Sequence, residues 1–167
     1  MRMGMRIAVL VFVLFATIGC DQSTKAVARA YLEPGQPVRL LGGVVMLAVV
    51  ENPGAMLGLG EFLPDAVRFV LFVFAIGVVL VVALGYLAFS RHLSRHVVVA
   101  GALTVAGGFG NLVDRIVQSG CVTDFVILGI GRYRTGVFNV ADLAILSGIV
   151  IVVAHVVKSR PSKGFGA

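Results

Sequence analysis

Residues 97–117 read VVVAGALTVAGGFGNLVDRIV. The run carries no charge before Asp114, and it matches the length of about 20 apolar residues that a helix needs to cross a bilayer core. It ends, however, in Asn111, Asp114 and Arg115. Spacings of three and four put these side chains on one helix face. Ionisable groups inside a span are costly and turn toward a bundle interior or a water-filled cavity, so this face marks a candidate site as well as a helix. Just before it, Gly107, Gly108 and Gly110 offer a small-residue surface on which another helix backbone can come close.

Three more stretches have spanning length: Ile7 to Ala28, Val67 to Phe89 and Val137 to Val157. With 59% hydrophobic and 13% charged residues, the 167-residue chain lies outside the range of soluble domains, and lipid is its expected solvent. The expectation is an all-α membrane protein of four transmembrane helices, forming one domain over residues 1–167. The formal charge of +6 does not point to nucleic acid, because the basic residues are scattered between apolar runs without a stripe of interleaved aromatics. A competing reading exists for the first span. Met1 to Arg6 is a basic leader, Ile7 to Ala16 an apolar run, and Thr17-Ile18-Gly19-Cys20 resembles a lipoprotein cleavage box. Cleavage there would leave three spans with the termini on opposite sides; four spans keep both termini on one side.

Arg2, Arg6, Arg91, Arg95, Lys158, Arg160 and Lys163 fall in the N-terminus, the connection between spans two and three, and the C-terminus. These segments are expected to be cytoplasmic. All eight acids lie on the other side or in span ends near it, which favours the same orientation in a bacterial inner membrane. On the outer side, Glu33-Pro34-Gly35-Gln36-Pro37 breaks the first helix. Val38 to Leu41, Gly42-Gly43, and Val44 to Val50 then read as a hairpin. A small extracytoplasmic β-sheet over about residues 38–60 is the simplest reading, with a re-entrant loop as its competitor, and Glu51-Asn52-Pro53-Gly54-Ala55 is its turn-rich exit. Gln118 to Gly136 reads as a short outer segment carrying Cys121, Asp124, Arg132 and Arg134.

Asp21 and Lys25 are spaced as a helical ion pair, and Asn139 and Asp142 share a face at the start of span four. Asp124 and Asp142 differ from the other acids: neither has an oppositely charged neighbour at helical spacing, and each is followed by apolar residues. Two carboxylates facing one cavity share a proton, because like charges a few ångströms apart do not both ionise cheaply. One then serves as base toward water and the other as acid toward the carbonyl oxygen and departing amine. No His-Glu-x-x-His motif, Gly-x-Ser-x-Gly elbow or phosphate loop occurs, and neither metal nor cofactor is expected. His92 and His96 have ligand spacing but sit among basic residues without a carboxylate. His155 reads as an interfacial side chain reaching toward water. Cys20 and Cys121, both on the oxidising side, are expected to stay unpaired.

Five ordered blocks resemble the lipoprotein signal peptidases (signal peptidase II). Asp21-Gln22-Ser23-Thr24-Lys25 is similar to the family's Asp-Gln-x-x-Lys, Glu51-Asn52-Pro53-Gly54-Ala55 to its Asn-x-Gly-Ala loop, and Gly110 to Arg115 to its Gly-Asn-x-x-Asp-Arg block. Val122-Thr123-Asp124-Phe125 and Phe138-Asn139-Val140-Ala141-Asp142 resemble the two blocks that hold its catalytic aspartates. The resemblance implies cleavage of lipid-modified prolipoproteins just before the diacylglyceryl-cysteine, with Asp124 and Asp142 as the dyad. It also implies that Asn52, Gly54, Asn111, Arg115 and Asn139 hold the substrate, while Asp21, Lys25 and Asp114 support the site. A monomer acting on prolipoprotein and lipid is the expected assembly. Pro53 and Met56-Leu57-Gly58 depart from the family pattern. The alternative is a catalytically inactive homologue or a carrier using the same polar cluster; a relay would continue with acids toward the inner side, where this chain has none.

Overall fold

A computed structural model describes residues 1–54, 60 and 62–159. Four helices are long and apolar enough to cross a membrane: α1 (Met3–Tyr31), α2 (Asp65–Phe89), α3 (Arg95–Val117) and α4 (Val140–Ser159). Between and beside them lie β1 (Val38–Leu40), β2 (Val45–Asn52), β3 (Val122–Ile130) and β4 (Tyr133–Arg134). The strands form one antiparallel sheet in the order β1-β2-β3-β4.

Each expected span is present, with shifted ends that have physical causes. α1 runs three residues beyond Ala28 because its polar last third is packed against α3. It ends at Tyr31, shortly before Glu33, which Pro34 pushes out of the helical region. α2 contains a π-helical stretch at Val70–Ala75. The wider turn places Phe72 so that the Arg115 guanidinium lies 5.5 Å from its ring centroid. α3 starts at the N-cap Ser94, whose Oγ accepts from the Val97 amide at 3.4 Å. α4 starts at Val140 rather than Val137, because Phe138 bridges to Val126 of β3 and Asn139 caps the helix.

α3 is the most buried of the four helices and sits at the centre of the bundle. Its Val98, Ala102, Val105 and Leu112 meet Leu10 of α1 and Leu80 and Leu87 of α2 in the main apolar core. Toward α4, the small-residue surface does its expected work. A Cβ on Gly107 would overlap the Ala141 carbonyl, and one on Gly148 would overlap Ala100 and Thr104. A Cβ on Gly110 would come within 2.8 Å of Asp21 Oδ2, so only glycine lets α1, α3 and α4 converge at this level.

The β1–β2 hairpin is where the alternation of turn and apolar residues places it, with Val38 opposite Leu47 and Leu40 opposite Val45. The sheet is larger than the sequence reading. The short outer segment Gln118 to Gly136, which the sequence reading leaves unassigned, supplies β3 and β4, and β2 pairs with β3 from Val45↔Leu128 to Asn52↔Val122. The register shifts between Leu47 and Val50, a bulge that re-aims the last residues of β2. The part of the exit loop formed by Ala55 to Leu59, including Met56-Leu57-Gly58, lies outside the described residues.

Candidate active site

At the junction of sheet and bundle, one lysine organises three elements. Lys25 is fully buried. Its Nζ stands 2.8 Å from Asp21 Oδ2, 2.9 Å from Asp114 Oδ2 and 2.9 Å from Asn111 Oδ1, so all three ammonium donors are used. The sequence spacing therefore gives the Asp21–Lys25 pair correctly. Asp114 pairs with Lys25 across the helix interface rather than with its neighbour Arg115. Asp21 also accepts from the Ala141 amide at 2.9 Å, and Asp114 from the Thr123 amide at 3.1 Å. The two acids thus fasten α4 and β3 to α1 and α3.

Because Asn111 Oδ1 accepts from Lys25, its Nδ2 is left to donate, and it does so to Asp142 Oδ1 at 2.9 Å. Asp142 sits at the third helical position of α4. Its Oδ2 accepts from the Asn139 amide at 3.1 Å, while its own amide donates to Asn139 Oδ1 at 3.0 Å. This reciprocal pair is a capping box built from Asn and Asp. The carboxylate orientation is consequently set by the start of its own helix. Asn139 Nδ2, turned outward by the same constraint, donates to Asp124 Oδ1 at 2.6 Å, and Asn52 Nδ2 donates to Asp124 Oδ2 at 3.0 Å. Asn139 therefore touches both carboxylates.

Asp124, on β3, is 4% exposed. Burial pushes its carboxyl up from 3.8 to about 6; the Asn52 hydrogen bond opposes this and the charge of Asp142 adds to it. A carboxyl that titrates near neutrality is suited to acid–base work. Asn52, Asn111, Arg115, Asp124 and Asp142 line one side of a cavity of about 330 Å³, whose other walls are largely apolar, including Val122, Phe138, Leu143 and Leu146. That size, with mostly apolar walls and a few convergent polar groups, is that of a ligand-binding cleft.

Of the residues expected at the site, Asp21, Lys25, Asp114 and Asn139 are buried behind this wall rather than on it. Arg115 donates to the Gly54 carbonyl at 2.7 Å, and the Gly54 amide donates to Asn52 Oδ1 at 3.0 Å. The turn after β2 is thereby closed and fixes the Asn52 amide toward Asp124. Sequence reasoning missed two hubs. Gln22 Nε2 lies 3.1 Å from Asp21 Oδ2, the Gly110 carbonyl and Asp114 Oδ1. Thr123, fully buried, accepts from Arg29 and Gln118 and donates to Glu51, at 2.9, 3.0 and 3.0 Å. Gln22 is flagged by the Gln of the Asp-Gln-x-x-Lys block that it matches, and Thr123 only by its position beside Asp124. At the far end, His155 does not simply reach for water: it lies 3.2 Å from Ser94 Oγ and stacks on His96 at 5.6 Å. No group of three or more metal-ligating side chains occurs among the described residues, and Cys20 and Cys121 are both free.

Four apolar helices capped by a small sheet, with a carboxylate-bearing cavity where they join, define an integral membrane protein with an enclosed polar site. The family model described as signal peptidase (SPase) II matches residues 13–158. The chain belongs to the signal peptidase II family, whose members are membrane peptidases. It is 36% identical over 153 residues to a lipoprotein signal peptidase of Bifidobacterium longum (strain DJO10A), covering 91% of this chain and 80% of that one. It is 30% identical over 167 residues to that of Geobacillus thermodenitrificans (strain NG80-2), covering 96% and 98%. A solved bacterial membrane enzyme has the same fold, with a TM-score of 0.76 at 24% identity over 98% of this chain and 94% of that one.

Proposed function

We propose that the chain is an aspartyl endopeptidase that removes the signal peptide from diacylglyceryl-modified prolipoproteins, cutting just before the lipidated cysteine, with Asp124 and Asp142 as its catalytic pair. The observation that carries this reading is the convergence of two carboxylates from a strand and a helix on one cavity, both touched by Asn139. The named relatives supply the substrate class.

In this reading water is the only co-reactant. Asp142, held by Asn111 and the Asn139 amide, takes a proton from water as its oxygen bonds to the scissile carbonyl carbon. Asp124, with its raised proton affinity, gives its proton to the carbonyl oxygen. Collapse of the tetrahedral intermediate breaks the C–N bond as the proton taken up by Asp142 leaves with the amine of the cysteine and Asp124 takes back a proton from a hydroxyl of the intermediate, which forms the product carboxyl and restores the pair. Asn52, Asn111 and Arg115, on the cavity wall, bind the substrate backbone, and Gly54, Asn139, Asp21, Lys25 and Asp114 keep those donors and the two carboxylates in place. The apolar wall from Leu143 to Leu146 meets the lipid part of the substrate. Residues 1–167 act as one monomeric domain in the bacterial inner membrane, with termini cytoplasmic and the sheet at the extracytoplasmic face.

The test is cleavage of a purified diacylglyceryl-prolipoprotein by the native chain, Asp124→Asn and Asp142→Asn, each shown to be folded. The expected result is cleavage by the native chain alone. Equal cleavage by all three would discard the pair, and no cleavage by the native chain under conditions where a known peptidase is active would discard the activity.

A further inference from the structure

The end of the bundle opposite the sheet carries a second polar feature that the proposed reaction does not use. α1 begins at Met3 with no side chain capping its first turn and no acid in it. The amides and positive end of this 29-residue helix therefore meet neither a capping side chain nor an acid of their own first turn. One turn in, Arg6 is 3% exposed. Its guanidinium donates to the carbonyls of Ser90 and Leu93, tying α1 to the connection between α2 and α3. Its buried Nε finds no acceptor among the described residues. A cavity of about 310 Å³ opens at this point, lined by Met1, Met3, Arg6 and Arg91.

Among the described residues no carboxylate pairs with Arg6 or Arg91. No acid occurs in residues 1–20, 66–113 or 143–167, and the three ion pairs among the described residues all involve Asp21, Asp114 or Asp65. The exposed Arg91 and the buried Arg6, whose terminal nitrogens each keep an N–H beyond the one given to Ser90 or Leu93, bring two guanidiniums to one cavity at an uncapped helix start, and guanidinium groups match phosphate oxygens. The flanking Met3, Met5 and Ile7 are exposed, and they lie at the mouth of the membrane span, where acyl chains begin.

We propose that this cavity binds the phosphate of an anionic phospholipid headgroup between Arg6 and Arg91. A basic pocket between helix ends at the membrane boundary is suited to such a headgroup. The occupant is lipid rather than free phosphate because the apolar rim gives the chains a place to lie.

Native mass spectrometry of the full chain released from detergent tests this, with phosphatidylglycerol, phosphatidylcholine and inorganic phosphate as probes. The native chain is expected to retain phosphatidylglycerol in preference to phosphatidylcholine. Arg91→Gln, at an exposed loop position, is expected to lower that retention about fivefold while leaving prolipoprotein cleavage unchanged. Arg6→Lys, which keeps the charge and loses the fork, is expected to weaken retention as well. Equal retention of phosphatidylglycerol by native and Arg91→Gln chains overturns the site, as does equal retention of the two lipids. Displacement of the lipid by millimolar inorganic phosphate overturns the lipid assignment.

Discussion

Asp124 supplies the sharpest quantitative test. Its carboxyl titrates at about 6 in the folded chain against an ordinary 3.8. Between those two pH values the native state holds more protons than the unfolded state, so this group makes stability fall as pH rises, and above about pH 6 the whole penalty is present. At about 1.4 kcal/mol per pH unit, the interval amounts to about 3 kcal/mol. Asp124→Asn removes the titration. The substituted amide matches only one of the two donors, Asn52 Nδ2 and Asn139 Nδ2, that face the carboxylate, at a cost of about 1 to 3 kcal/mol. That cost does not depend on pH, so it cancels when the difference between variant and native is compared at two pH values. The variant should therefore gain about 2.5 kcal/mol relative to native between pH 4 and pH 8, read as a relative gain of about 5 to 10 °C in midpoint for a chain of this size. Thermal unfolding of both proteins in the same detergent across that range measures it. Parallel stability curves would refute the claim that burial raises this carboxyl.

Lys25→Met leaves Asp21 and Asp114 buried without their shared cation and should cost about 3 to 5 kcal/mol, seen as loss of folded protein or a large fall in midpoint. Gly107→Ala should destabilise by about 1 to 3 kcal/mol, since its methyl meets the Ala141 backbone. Gly85→Ala, with nothing near its Cβ position, should be neutral or stabilise by up to about 1 kcal/mol, which makes it the matched control. Asn139→Ala loses the helix cap and the donor to Asp124, so a stability loss of about 1 kcal/mol should accompany a much larger fall in prolipoprotein cleavage; cleavage reduced only in proportion to folded protein would argue against a role at the site.

The spans were legible because a bilayer imposes length and composition directly, and residues 97–117 carry both signals plus a polar end. The β1–β2 hairpin was legible because its two runs are adjacent and punctuated by Gly42-Gly43. β3 was not: its partner residues in β2 lie at least 70 positions upstream, and the apolar run Phe125 to Leu128 takes on a strand's meaning only beside that partner. Helical spacing placed Asn111 with Asp114 and Asn139 with Asp142, yet it could not show that Asp114 turns to Lys25 on another helix. Arg115 likewise turns away from the acid next to it, toward the carbonyl of Gly54. Gln22 and Thr123 escaped notice because an uncharged polar residue declares its importance only through what surrounds it.

The two carboxylates of the cavity ride on different bodies, Asp124 on a strand of the sheet and Asp142 on the first turn of a spanning helix. Their separation is accordingly a measure of how deeply the sheet rests on the bundle, and Asn139 acts as the pin of a calliper. A bilayer thicker or thinner than the helices pushes on the tilt of those helices, and a change of tilt alters the opening of the calliper.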